Sequence, residues 1–138
     1  FTLALMSPQD KQRLVAGYIK HNRRSHVWNF DNVLHEVKGE DNFWAFEQLV
    51  DLCRTDPDTS WDIILNILHT PHDDAVTAVL AAGPLEDLLG NFGAEIIERV
   101  EERATSDAAF KDLLGGVWPS RIAKDVWARV ESCRGKTW

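Results

Sequence analysis

The residues that could do chemistry are few and lie in two short stretches. His69-Thr70-Pro71-His72-Asp73-Asp74 gathers two imidazoles and two carboxylates into six positions, and such groups ligate metal ions. Pro71 and a helix cap fall between the two histidines, however, and no second ligand cluster stands elsewhere in the chain. The spacing therefore favours a capping arrangement beside a solvated histidine over a metal site. Glu86-Asp87 is an adjacent acid pair of the kind that in principle does acid–base work. Neighbouring residues on a helix point about 100° apart, and acids in a first turn are favoured there by the partial positive charge of the helix N-terminus. A structural role is the expectation for this pair. His35-Glu36 lacks the second histidine of a helical zinc-protease pattern. There is no glycine-rich phosphate loop and no G-x-S-x-G elbow. Cys53 and Cys133 sit in apolar helical patterns, which reads as buried free thiols in a reducing compartment. No catalytic residue, no metal and no cofactor are expected.

The elements that must carry these residues are helices. Ser7-Pro8-Gln9-Asp10 is a start signal, with Ser as N-cap and Pro in the first turn. Leu14, Val15, Tyr18 and Ile19 follow as one apolar stripe. Phe30, Val33, Leu34 and Val37 predict a short helix over Asp31–Lys38, preceded by Trp28. Phe43, Phe46, Leu49, Val50 and Cys53 line a helix over about Asp41–Arg54, with Trp44 beside them and expected in the core. Asp56-Pro57 opens a helix that is apolar nearly all round and is expected at the centre of the fold. Thr70-Pro71-His72-Asp73 repeats the start signal. In A-A-G-P-L-E-D-L-L, residues 81–89, Gly83 is expected to stop one helix and Pro84 to start the next. Gly93 is expected to stop a further short helix. Ile96, Ile97, Val100 and Ala104 then mark a helix whose opposite face holds Glu95, Glu98 and Glu102, with a Glu95–Arg99 pair at i,i+4 spacing. Ser106 or Asp107 caps the next helix, Gly115-Gly116 ends it, and a last helix runs from about Arg121 to Cys133.

The pattern is all-α: a single irregular helical domain, residues 1–138, of seven or eight short helices packed as antiparallel hairpins. No stretch alternates with the period of a strand. Residues 1–5, ahead of the single methionine Met6, are expected to be foreign to the natural chain, part of a longer chain, or disordered. The start lacks a basic region and a cleavage pattern, so it does not read as a signal peptide. No apolar run approaches the ~20 residues of a membrane helix, and a cytoplasmic location is expected.

Net charge is −7, and its distribution is uneven. Residues 1–26 carry +4, residues 27–112 carry −14, and residues 113–138 carry +3. Between Glu40 and Asp87, Arg54 is the only basic residue among eleven acids. Such a field repels nucleic acid and attracts a basic partner.

The stretches W-A-F-E-Q-L-V from Trp44, D-P-D-T-S-W-D-I-I-L from Asp56, A-A-G-P-L-E-D-L-L, E-I-I-E-R-V-E and L-G-G-V-W together resemble an uncharacterised bacterial family. It is known as a domain of unknown function and is marked by the same G-P-L-E-D-L-L turn. The resemblance covers about residues 40–118 and implies a small bacterial helical protein, with no activity or catalytic residue to carry over.

The expected function is a small acidic protein-binding module, foremost an immunity-type protein that covers and neutralises a basic bacterial toxin. A scaffold or adaptor domain in a larger assembly is the alternative, and an enzyme with a cryptic His/carboxylate site near residues 69–87 a third. The residues expected to meet the partner are Glu40, Asp41, Asp56, Asp58, Asp73, Asp74, Glu86, Asp87 and Trp118, since tryptophan is enriched at binding hot spots. Neither nucleic acid nor membrane is expected as a partner.

Overall fold

Ser7 and Pro8 start the first helix as their chemistry dictates. The computed structural model describes residues 6–23 and 42–138. In α1 (Pro8–Asn22) the Ser7 hydroxyl accepts the Asp10 amide at 3.1 Å, and Pro8 fills a first-turn position where its missing N–H leaves no bond unmade. Asp56 divides α2 (Phe43–Thr55) from α3 (Pro57–Leu68); its carboxylate accepts the Thr59 amide at 3.1 Å and the Thr59 hydroxyl at 2.7 Å. Next come α4 (Asp74–Leu80), a π-helical turn (Ala81–Leu85), α5 (Glu86–Ser106), α6 (Ala108–Leu114) and α7 (Lys124–Cys133). The fold is all-α, with seven α-helices among the described residues. The expected helix over Asp31–Lys38, Trp28, Glu40 and Asp41 lie outside the described residues.

The largest departure from expectation is at Gly83-Pro84. The chain does not turn there: α4, the π turn and α5 run on without a break, and Gly83 does not adopt a positive φ. Pro84 has no N–H for the acceptor one turn back, and its ring crowds that turn. A register widened by one residue carries the helical path past it. Gly93 lies one residue past a kink that divides α5 into two helical stretches, so the expected stop is met there to within one residue. It is a buried position in α5 where a Cβ would stand 3.0 Å from Val126 Cγ1, so it lets α7 approach closely. The kink itself is at Phe92, with φ −133° and ψ 24°.

Three further expectations are corrected. Thr70-Pro71 does not start α4. The Thr70 hydroxyl bonds back to the Asn66 carbonyl at 2.7 Å, finishing α3, and Asp73 caps α4 by accepting the Val76 amide at 3.1 Å. Arg99 does not pair with Glu95, because the carboxylate of Asp58 on α3 is offered at 2.6 Å. Trp44, expected in the core, is 40% exposed. Gly17 and Ala45 let α1 and α2 approach so closely that the indole is laid across the outside, with the Arg13 guanidinium 5.9 Å from the ring centroid.

One continuous core joins all the helices. α3 buries Ile63, Ile64 and Ile67 against α1, α2, α5 and α6, which is the central place expected of it. It is not apolar all round, since Asp58, Asp62 and Asn66 form an exposed stripe. Each fully buried Leu or Ile contributes about 1.5–3 kcal/mol, so this core and not the polar surface holds the helices in place.

Candidate protein-binding surface

Of the nine residues nominated from sequence, Asp56 and Asp73 are N-caps whose carboxylates are turned onto Thr59 and Val76. Asp58 and Asp74 lie on the surface, Asp58 paired with Arg99. Glu86, Asp87 and Trp118 are brought together from 32 residues apart.

The geometry of that meeting is specific. The first turn of α5 presents both acids to the segment after α6. Successive tight turns, with Gly115, Gly116 and Val117 donating to the carbonyls of Asp112, Leu113 and Leu114, swing the chain back across α5. Glu86 Oε1 then accepts the Trp118 amide at 3.1 Å and the Ser120 hydroxyl at 3.5 Å, and Asp87 pairs with Arg121. Partial burial pushes the Glu86 carboxyl above its ordinary pKa; the Trp118 N–H opposes this, and the Asp87 charge adds to it. Val117 and Ile122 are buried on either side, so Trp118 stands 60% exposed on a segment pinned at both ends.

A second tryptophan shares this end of the molecule. Trp138 lays its ring on Gly116, donates its amide to the Gly115 carbonyl at 3.1 Å, and donates Nε1–H to the Asp112 carbonyl at 2.8 Å. A Cβ on Gly115 would overlap the Lys136 carbonyl oxygen. Gly115-Gly116 is thus the seat of the C-terminal residues as well as the end of α6, a long-range role that local pattern does not announce. Trp118 and Trp138 are both exposed, at 60% and 51%.

The two imidazoles of the 69–74 stretch go to different partners. His69 Nε2 meets Asp107 Oδ2 at 2.6 Å, while His72 contacts the Thr70 carbonyl at 2.6 Å and the Thr77 hydroxyl at 2.8 Å. Asp107 is a hub: burial raises its pKa, but the bonds from His69, the Phe110 amide and Arg103 outweigh that and hold the carboxyl below its ordinary value. His69 lines a surface depression with Arg103, Ser106 and Asp107, and His72, Glu86 and Asp87 are not part of it. Among the described residues no group of three or more His, Cys, Asp or Glu side chains is placed to hold a metal ion.

Charge blocks separated in sequence meet in the fold. Lys11 pairs with Asp62 at 2.8 Å, Arg121 with Asp87, and Arg129 with Glu101 through two bonds of 2.8 and 2.5 Å. The basic ends are therefore partly spent on the acidic middle. Glu47 and Asp51 on α2, Asp74 on α4, and Glu95, Glu98 and Glu102 on α5 remain exposed, and no salt bridge engages them. All but Asp74 were outside the nominated set, although the α5 glutamates were already visible as that helix's polar face.

The stretches G-P-L-E-D-L-L and L-G-G-V-W, far apart in sequence, touch through Glu86 and Trp118. Residues 32–138 match a family of unknown function, DUF6869. The chain belongs to that family. The match runs beyond the 40–118 span of the resemblance and takes in α7 and the C-terminal residues seated on Gly115-Gly116. No curated protein and no solved structure matches the chain. No described helix is long and apolar enough to cross a membrane.

Proposed function

We propose that this protein is a cytoplasmic bacterial binding module of the immunity type, which covers and neutralises a basic protein. The observation that carries the reading is the set of exposed carboxylates left over after intrachain pairing, above all Glu95, Glu98 and Glu102 on one face of α5. Spacing of three and four residues sets these three side by side, and like charges aligned in this way steer an oppositely charged protein into fast encounter. Trp118, exposed on a pinned segment, suits a hot-spot anchor because little conformational entropy is lost when it docks. The scaffold alternative has less support, since Lys11, Arg121 and Arg129 already answer acids of their own chain.

Co-expression with the product of the adjacent upstream gene tests the reading. The expected result is a stoichiometric complex with a basic protein whose association rate falls about tenfold or more between low and high salt. Changing Glu95, Glu98 and Glu102 together to Gln should slow association at low salt. No complex, or an association rate indifferent to salt, would overturn it.

A further inference from the structure

Two glycines bring the chain that enters α7 down onto α5. A Cβ on Gly90 would stand 3.2 Å from the Arg121 carbonyl oxygen, and one on Gly93 would meet Val126. The kink at Phe92 lies between them, and here the surface holds a depression of about 350 Å³. That volume is at the lower end of the range of ligand sites. Buried Leu89 and Val126 and the half-buried Phe92 ring make its apolar lining, while Glu95 of α5 and Asp125 of α7 bring a carboxylate each. Both acids are exposed, and among the described residues no hydrogen bond or ion pair engages either one. The Arg129 charge reaches Asp125, but its guanidinium is bonded twice to Glu101, at 2.8 and 2.5 Å. Asp125 is in the first turn of α7, where an acid is favoured in any case. That accounts for one carboxylate, and not for two from different helices sharing one depression with an aromatic ring.

We propose that this depression receives an arginine side chain of the basic partner, an inference that rests on the function proposed above. The methylenes of the arginine lie along Leu89 and Val126, its guanidinium lies against the Phe92 ring, and its N–H groups donate to Glu95 and Asp125 together. Two carboxylates from separate helices suit a planar fork of five donors better than a lysine ammonium, which is a compact point charge. The acidic surface then has two parts with different tasks. Glu98 and Glu102 act at a distance on the encounter, whereas the pocket acts after contact and slows dissociation.

The peptide acetyl-Gly-Arg-Gly-amide tests the pocket without the partner. Titrated into the full chain, it should move the backbone amide signals of residues 89–95 and 123–126 saturably. The uncharged citrulline analogue should leave them in place, and Glu95→Gln and Asp125→Asn should each weaken the binding about fivefold. Both are surface substitutions, and unchanged amide signals elsewhere show that the fold is kept. Shifts spread over the whole acidic surface, an equal response to citrulline, or no response overturns the pocket, and a lysine peptide that binds as tightly overturns its assignment to arginine. In the complex with the partner, Asp125→Asn should raise the dissociation rate about tenfold and change the association rate less than about twofold. A complex whose dissociation is indifferent to Asp125→Asn removes the pocket and leaves the proposed function standing. Saturable peptide binding with no basic partner found removes the proposed function and leaves a pocket selective for arginine.

Discussion

Replacing Gly83 by Ala sets two accounts of the family turn against each other. If Gly83 ended a helix in the left-handed region, an added Cβ would be strained there, and the substitution would cost about 1 kcal/mol or more. In the structure Gly83 does not have a positive φ, lies within a continuous helical path, and would place a Cβ with nothing but its chain neighbours within 4 Å. Beyond its chain neighbours nothing meets the methyl, so the effect is backbone entropy and helix preference, reduced by the crowding that the Pro84 ring imposes on a Cβ at the residue before it. Those favour Ala over Gly by about 0.5–1 kcal/mol in a helix interior. The π turn is not ideal α geometry, so the lower end of that range applies, about 0.5 kcal/mol of stabilisation. Urea titration should then move to a higher midpoint with an unchanged slope, and the melting temperature should rise by about 1–3 °C for a chain of this size. A loss of 1 kcal/mol or more would refute the continuous helix and restore the turn read from sequence.

Three other substitutions or probes follow from the same geometry. Asp107→Ala should cost about 2 kcal/mol by urea titration, since it removes the cap of α6 and the acceptor of His69 and Arg103. Asp107→Asn, which still caps, should cost less, and equal losses would refute the capping role. Because the Asp107 carboxyl is held below its ordinary value, its contribution is full above about pH 4 and is lost as pH falls through the folded value; Asp107→Asn should flatten that part of the acid limb. Gly115→Ala should dislodge residues 135–138 through the clash with the Lys136 carbonyl, with the Trp138 indole N–H losing its protection from hydrogen exchange. An unchanged indole signal would refute that seat. Cys53, buried and pushed up to about 12, should react with a thiol reagent at pH 8 only at the rate of global unfolding; rapid labelling of the native protein would refute its burial.

What was legible in sequence was whatever acts locally or repeats with the helical period. Ser7-Pro8, Asp56-Pro57 and Asp107 cap the helices they precede, and the stripe Ile96, Ile97, Val100 and Ala104 is buried as its spacing requires. Glycine and proline misled where their local preferences yielded to tertiary demands. Pro84 sits inside a helical path, and Gly115-Gly116 is a floor for the Trp138 ring. Each depends on a partner at least 20 residues away or on a neighbouring helix, so no window on the sequence contains it. The nominated acids divided for the same reason. A carboxylate ahead of a helix is equally a cap and a surface charge until the neighbouring amides are in place.

The charge pattern shows why a sequence block is not a surface. Lys11–Asp62 joins residues 51 apart, Arg121–Asp87 34 apart, and Arg129–Glu101 28 apart. Pairs as exposed as Lys11–Asp62 and Arg129–Glu101 contribute at most about 1 kcal/mol each to stability, so holding the helices together is not their main effect. They decide which carboxylates are left for another molecule. Asp62, Asp87 and Glu101 are withdrawn, and Arg99, the one cation among the exposed charges of the α5 face, is drawn away by Asp58. Glu95, Glu98 and Glu102 therefore face solvent with no salt bridge of their own, Glu98 within reach of the Arg129 charge that Glu101 already pairs. Exchanging the charges of Asp58 and Arg99 together would keep their ion pair and place a further acid in that stripe. It should leave stability within about 0.5 kcal/mol and speed association with a basic partner at low salt only. A change that persists at high salt would mean that contacts other than long-range charge govern the encounter.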